Sequence, residues 1–147
     1  MGADWEEALK LAQKYLHVED LNEIDEETLP VNWRWDDVQG YDFTGRKIDQ
    51  KACGSCYTIA TNGMLESRLK IWYGHETTLS SQFRLDCNFM NEACHGGWGY
   101  TDAAFLKSFY TVDEACAPYL GDLNPQGCEA YRNCDPVAGI DHFYFPG

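Results

Sequence analysis

Seven cysteines in 147 residues constrain this chain more than any other feature. They are Cys53, Cys56, Cys87, Cys94, Cys116, Cys128 and Cys134. Such a density is foreign to reducing compartments, where disulfides rarely persist, and an odd number divides into three bridges and one free thiol. Which thiol is left over is the functional question. The first two cysteines sharpen it: "QKACGSCYTIA", residues 50 to 60, sets Cys53 and Cys56 three apart across Gly54 and Ser55, where a helical pattern begins.

With 44% hydrophobic and 14% aromatic residues, the chain can bury one core and is too short to suggest two. One domain, or a large piece of one, is expected. The net charge of −13, from 24 acidic against 11 basic residues, repels phosphate backbones and anionic lipid, and no basic cluster interrupts it. This argues against nucleic acid and membrane partners. No apolar run approaches the roughly 20 residues that span a bilayer. The opening "MGADWEEALK" lacks a basic n-region and an apolar h-region. A signal for a lysosomal, vacuolar or secreted protein is therefore expected outside this chain. Met1-Gly2 does not complete a myristoylation motif, which needs Ser or Thr where Glu6 stands.

Residues 4 to 16 put Trp5, Leu9, Ala12 and Leu16 on one helical stripe, and Asp4 with Glu7 fits a capping box. The acidic stretch "VEDLNEIDEET" has little to bury and reads as an extended, solvated connector, ended by Leu29-Pro30. "VNWRWDDV" alternates Trp33 and Trp35 with polar residues, as a half-buried extended segment does. From Cys56, a helix carries Ile59, Ala60, Gly63, Met64 and Ile71 near one face and Leu65, Leu69 and Trp72 on the next. That surface is too wide for a simple surface helix, so this is the expected central buried helix, capped by Gly74. Ser80 or Ser81 is placed to cap a short helix through "QFRLDC", and Thr101 another through "DAAFLKSF". Beyond Val112 the chain turns to Gly, Pro and Cys, a loop-rich region in need of stapling.

Three chemistries fit the two close cysteines. A redox pair normally follows a buried apolar strand, whereas the upstream "YDFTGRKIDQKA" is polar and offers little beyond Ile48 to bury. A zinc site wants a second close-spaced pair, and Cys87 and Cys94 are seven apart, Cys128 and Cys134 six apart. In the third reading Cys56 is a nucleophile. A thiol in the first turn of a helix meets the positive end of the macrodipole, which favours the attacking thiolate. Gln50, six residues upstream, can bring an amide donor beside the Cys56 backbone N–H, giving a two-donor pocket for a tetrahedral oxyanion. Gly54 and Ser55 keep the approach narrow.

"QKACGSCY" resembles the active-site segment of papain-like cysteine peptidases, with its local signature C-G-[SA]-C-[WY]. "LSSQFRLDC" resembles the Ser-x-Gln-x-x-x-Asp-Cys segment after that family's central helix. "CHGGWGY" resembles its Cys-x-Gly-Gly substrate strip, and "LPVNWRWDDV" the start of its mature enzymes. The match covers about residues 29 to 146, leaving 1 to 28 as an acidic N-terminal helix and connector like the tail of a propeptide. Tyr57, "DEACAPY" and the spacing of the last two cysteines look most like the dipeptidyl peptidase I (cathepsin C) branch.

The resemblance implies an α+β papain-like fold, mainly its helical Cys-bearing lobe with a long central helix and a stapled loop region. It also implies bridges Cys53–Cys94, Cys87–Cys128 and Cys116–Cys134, with Cys56 free. Catalysis falls to Cys56 and Gln50. Peptide substrates would lie along Gly96 and Gly97, with Ser55, Trp98 and Tyr100 at the cleft, and a chloride ion near Tyr100 in place of any other cofactor or metal. Ordinary core packing is the competing account of the two aromatics.

The family's base, a histidine, and the asparagine that orients it lie about 130–150 residues beyond the nucleophile. None of His17, His75, His95 and His142 sits in that context: His75 suits a helix end, His95 a loop beside the cleft, and His142 a strand. A His/Asn-bearing C-terminal peptidase chain is the expected partner, docked on the apolar face its absence exposes, within an oligomer. The rival reading is a non-catalytic papain-like scaffold or binding subunit, with the acidic N-terminal helix as its docking arm.

Overall fold

The computed structural model describes residues 3–16, 25–74 and 76–137. The described residues form four α-helices, α1 (Ala3–Leu16), α2 (Cys56–Tyr73), α3 (Ser81–Cys87) and α4 (Gly99–Ser108), with 3-10 turns at Glu26–Thr28, Ala93–His95 and Gly127–Tyr131. Among the described residues, extended chain pairs as isolated antiparallel bridges: Val38 with Tyr41, Leu79 with Asp113, and Val112 with Pro136. This is the helical lobe that the motif order implies. The expected role of His75 and the expected strand at His142 lie outside the described residues, as does His17.

Helix α2 is the axis. Gly74 ends it in the left-handed region (φ 69°, ψ 18°), its N–H bonded to the Lys70 carbonyl at 2.9 Å. The buried surface of α2 is less apolar than its pattern suggests. Alongside Tyr57, Leu65, Leu69 and Ile71 it buries Thr58, Thr61, Asn62 and Glu66, while Ala60 is exposed. Thr61 bonds back to the Tyr57 carbonyl at 2.8 Å, and the others satisfy chain that crosses the helix, as buried backbone requires. Glu66 accepts the N–H groups of Leu79 (2.9 Å) and Arg46 (3.2 Å), and Asn62 donates to the Leu79 carbonyl at 2.8 Å. Gly63 serves close approach rather than an apolar face: a Cβ on Gly45 would lie 2.6 Å from the Gly63 Cα.

The polar interior centres on Arg84 of α3 and Asp102 of α4, both fully buried. Arg84 Nε donates to both Asp102 oxygens at 3.1 and 3.0 Å, and Nη2 donates to the Thr58 carbonyl at 2.8 Å and to Asn62 Oδ1. Asn88 Nδ2 adds a bond to Asp102 at 3.0 Å. One guanidinium thus joins α2, α3 and α4.

Ser80, not Ser81, caps α3, its Oγ accepting the Phe83 N–H at 2.9 Å. Helix α4 begins at Gly99, so Thr101 lies inside its first turn and does not cap it. The Thr101 hydroxyl is turned back to the Trp98 carbonyl at 2.7 Å and to Asn91 Oδ1 at 2.5 Å, and the same Asn91 oxygen accepts the Trp98 N–H at 2.9 Å, which fixes the chain entering the helix. Likewise α1 already includes Ala3. Asp4 therefore stands in its first turn, where a carboxylate complements the dipole, rather than at a capping position. Trp5, Ala8 and Ala12 of α1 bury against Val38, Phe43 and Ile71, while the side chain of Leu16 lies outside the described residues. The described part of the connector is solvated, but it is a 3-10 turn capped by Asp25 and not extended chain. Trp33 and Trp35 are half-buried between exposed neighbours, their rings 5.2 Å apart edge to face.

Past Val112 the chain has turns and loops held by Cys87–Cys128 and Cys116–Cys134. Asp86 anchors this region, accepting the Tyr131 hydroxyl (2.6 Å), Gln82 Nε2 (2.9 Å) and the Asn124 N–H (3.0 Å). Burial, reinforced by that bond to Asp86, pushes the Tyr131 phenol up to about 12.

Two outcomes follow for stability. Asp102→Ala strands a buried guanidinium and should cost about 3–5 kcal/mol, read as a fall in urea midpoint. Asp102→Leu combined with Arg84→Met should cost less than that single change. An unfolded tyrosine ionises near 10, below folded Tyr131, so the phenol's contribution is intact below about pH 10 and is lost as pH rises through about 12. Unfolding midpoints across that window should fall less steeply in Tyr131→Phe.

Candidate active site

The site forms where the loop 50–55 enters α2 and the segment 91–100 is bolted to it. Cys53 is bridged to Cys94, and the remaining bridges take Cys87, Cys128, Cys116 and Cys134, the same pairs that the motif resemblance implies. With Cys53 bonded elsewhere and six thiols consumed in bridges, neither a Cys53–Cys56 redox pair nor a thiolate zinc site describes this arrangement. Cys56 remains free and exposed as the first residue of α2. Among the described residues its backbone N–H has no acceptor, as is usual for the first turn of a helix.

Beside it, Gln50 Nε2 donates to the Cys53 carbonyl at 3.1 Å. That bond uses one amide hydrogen and leaves the second for another acceptor. The Gly54 N–H donates to the Cys94 carbonyl at 2.8 Å, and a Cβ on Gly54 would sit 2.7 Å from that oxygen. Only glycine lets the two backbones meet so closely.

The second wall is the Gly96-Gly97 strip. Gly96 adopts φ 115°, a conformation open to glycine, and Gly97 packs so tightly that an added Cβ would lie 2.5 Å from Asn91 Oδ1. The strip floors a depression of about 290 Å³ bounded by Met90, Asn91, Glu92, His95 and Trp98. Trp98 and Tyr100 are 69% and 71% exposed with ring centroids 6.3 Å apart, so core packing does not account for them. His95, on the 3-10 turn before the strip, is exposed, and among the described residues no imidazole is bonded to Cys56.

Ser55 departs from expectation. It is fully buried and its hydroxyl bonds Tyr119, so the side chain faces the interior and cannot touch a substrate in the cleft. Sitting at the N-cap of α2, it braces the loop instead. Tyr57 is also buried, its hydroxyl without a partner among the described residues. Burial first, and then the negative charge of Asp102, push that phenol up to about 12. Sequence reading misses Tyr119, because "APYLG" carries no periodicity and its contact with residues 50–55 spans 64 to 69 positions.

Residues 29–144 match the papain family of cysteine proteases. The chain belongs to that family. Falcipain-2b of Plasmodium falciparum (isolate 3D7) is 36% identical over 98 residues, covering 65% of this chain and 20% of that protein. Cathepsin C of Schistosoma mansoni is 28% identical over 102 residues, covering 67% and 22% respectively. The Carica candamarcensis cysteine protease CMS1MS2, solved in complex with E-64, superposes with a TM-score of 0.57 at 26% identity, covering 63% of this chain and 42% of that one. This chain therefore spans about a fifth of the length of the first two relatives.

Within this papain-family lobe, Gly97→Ala should overpack the strip at Asn91 and destabilise the protein by about 1–3 kcal/mol. Amide exchange at Trp98, whose N–H Asn91 holds, should accelerate in the same variant.

Proposed function

We propose that this chain is the thiol-bearing lobe of a cysteine peptidase that hydrolyses peptide bonds through the Cys56 thiolate. One observation carries the reading: the single free thiol stands exposed on the first residue of a helix, its own N–H unpaired and an amide donor held on the preceding loop. Cys56 Sγ attacks the scissile carbonyl carbon, and the carbonyl oxygen becomes an oxyanion between the Cys56 N–H and the Gln50 amide. Collapse breaks the C–N bond and leaves a thioester as the leaving amine takes a proton. Water then attacks the thioester and restores the thiol. The proton is supplied by an imidazole, oriented by an asparagine, from a lobe beyond these 147 residues.

The finer reading is a dipeptidyl aminopeptidase, removing dipeptides from free N-termini. It is supported by Tyr57, by the likeness to the schistosome protein named cathepsin C, and by Trp98 and Tyr100 standing exposed beside the strip. These aromatics would line the pocket for the substrate's second residue, with a chloride ion near Tyr100. Three disulfides support a lysosomal, vacuolar or secreted setting.

The test is a peptide map, without reduction, of natively isolated protein treated with an epoxysuccinyl thiol trap. Label confined to Cys56, with peptide hydrolysis lost in Cys56→Ala by about 10⁶-fold, is the expected result. Cleavage of free but not amino-blocked dipeptide substrates identifies the aminopeptidase. Absence of label on a natively folded assembly indicates a binding or scaffold subunit and overturns the peptidase reading.

A further inference from the structure

The segment Ala117–Gly121 crosses beneath the loop that carries Gln50 and Cys56, and it is tied on both sides. Toward α3, the Ala117 carbonyl accepts the Ser80 hydroxyl at 2.7 Å and the Leu120 N–H donates to Gln82 Oε1 at 2.8 Å. Toward the loop, the Leu120 carbonyl accepts Lys51 Nζ at 2.9 Å. Lys51 itself holds a left-handed φ of 56°, unfavourable for a residue with a side chain and maintained by its surroundings. Between these ties stands Tyr119. Its ring packs on Cys53, Tyr57 and Leu85, its N–H donates to Glu114 Oε1 at 3.1 Å, and its hydroxyl donates to the Gln50 carbonyl at 2.9 Å. With the phenolic hydrogen spent on Gln50, the Ser55 hydroxyl must be the donor in the Ser55–Tyr119 contact.

We propose that Tyr119 is a positioning residue for the oxyanion pocket: one phenol fixes the main chain of Gln50 and the residue preceding Cys56, setting the separation of the two donors. The inference rests on the peptidase reading above. Its physical basis is that, among the described residues, the other hydrogen bonds of Gln50 are short ones within its own loop, from its side chain to the Cys53 carbonyl and from the Cys53 N–H to its own carbonyl at 3.4 Å. Such bonds fix the shape of the loop. They do not by themselves fix where the loop sits. The Cys53–Cys94 bridge and the Gly54–Cys94 bond tie its middle to the segment 91–100, and the Ser55–Tyr119–Gln50 chain ties both of its ends to a third element anchored on α3. Donors aimed at a developing charge act only when already in place, so a displacement of the loop reduces turnover rather than ground-state binding.

The experiment measures kcat and KM for a peptide substrate in the assembled peptidase, for Tyr119→Phe and Gln50→Ala singly and together. It also follows the rate of Cys56 alkylation by iodoacetamide, a displacement that generates no oxyanion. Tyr119→Phe should lower kcat about tenfold at unchanged KM, a fraction of the 10²–10³ that loss of a whole donor costs. Alkylation should stay within about twofold, and on the Gln50→Ala background the same substitution should add less than about twofold, the non-additivity of residues acting as a unit. Ser55→Ala, which keeps the phenol and removes its second partner, should give a smaller fall with the same dependence on Gln50. It carries the test should Tyr119→Phe not fold. An equal fall on both backgrounds, or slowed alkylation, overturns the proposal in favour of a merely structural tyrosine. Unchanged kcat in Tyr119→Phe overturns it as well. If Gln50→Ala alone leaves kcat intact, the oxyanion reading itself fails, and the Tyr119 proposal falls with it.

Discussion

The buried guanidinium of Arg84 is the contact on which the rest of this lobe depends. It reaches a carboxylate on α4, a backbone carbonyl and an amide on α2, and it leaves from α3. Removing a charge from water costs several kcal/mol, and attraction offsets that cost only when the partners are close and numerous. At Nε and Nη2 they are both: Asp102 faces Nε with two oxygens, Asn88 shares the carboxylate, and Nη2 meets the Thr58 carbonyl and Asn62, while Nη1 is buried without a partner among the described residues. The energetic return over an apolar substitute is small by the usual behaviour of buried pairs, but the geometric return is large. Leucine side chains tolerate sliding, whereas directional donors at Nε and Nη2 and their acceptors fix the mutual rotation of three helices. The thiol on α2 and the glycine strip leading into α4 inherit that registration.

The second half of the lobe solves a different problem. It has turns where a sheet would otherwise supply backbone partners, and its apolar cluster of Phe83, Phe105, Val112, Ala117 and Tyr131 is modest. Two disulfides and the acceptor cluster at Asp86 make up the difference, each bridge contributing on the order of 2–4 kcal/mol. Cys53–Cys94 has a separate task, since it joins the loop before the free thiol to the segment before the Gly96-Gly97 strip across 41 residues of sequence. A bridge placed there restrains the separation of those two segments as well as the unfolded chain.

Features set by local chemistry are legible in the sequence, and features set by long-range polar contacts are not. Gly74 ending α2 and a serine opening α3 need only neighbouring residues to explain them. The odd cysteine count isolates a free thiol by arithmetic, and the motif order supplies the pairing. Periodicity misjudges α2, however, because it scores Asn62 and Glu66 as polar and therefore outward. Their burial depends on Leu79, Ser81 and Arg46, between 13 and 20 residues distant. Thr101 misleads for a similar reason: a threonine before an apolar run is a sound cap until Asn91, ten residues back, engages its hydroxyl and the helix starts ahead of it. Ser55 is the sharpest case. A small polar residue beside a nucleophile reads as cleft lining, and only the distant Tyr119 turns it inward.

Helix α1 shows how the same physics separates anchoring from chemistry. It meets α2 at the C-terminal end, where Gln13 Nε2 donates to the Ile71 carbonyl at 2.9 Å and to the Trp72 carbonyl at 3.4 Å, groups that a helix end leaves unpaired. Leu9 approaches Gly74 so closely that an added Cβ would lie 3.1 Å from its Cδ2, so the glycine that terminates α2 also admits α1. Fifteen residues separate Ile71 from Cys56, about 22 Å along the axis at ~1.5 Å per residue. The acidic side chains of Asp4, Glu6 and Glu7 face solvent, while Trp5, Ala8 and Ala12 face the core. An element docked at that distance, by its apolar stripe and by capping bonds, stabilises the end of α2 remote from the thiol. Among the described residues, helix α1 is therefore an anchoring element at the far end of α2, and its docking and the placement of the Cys56 thiol are separate problems solved at opposite ends of one helix.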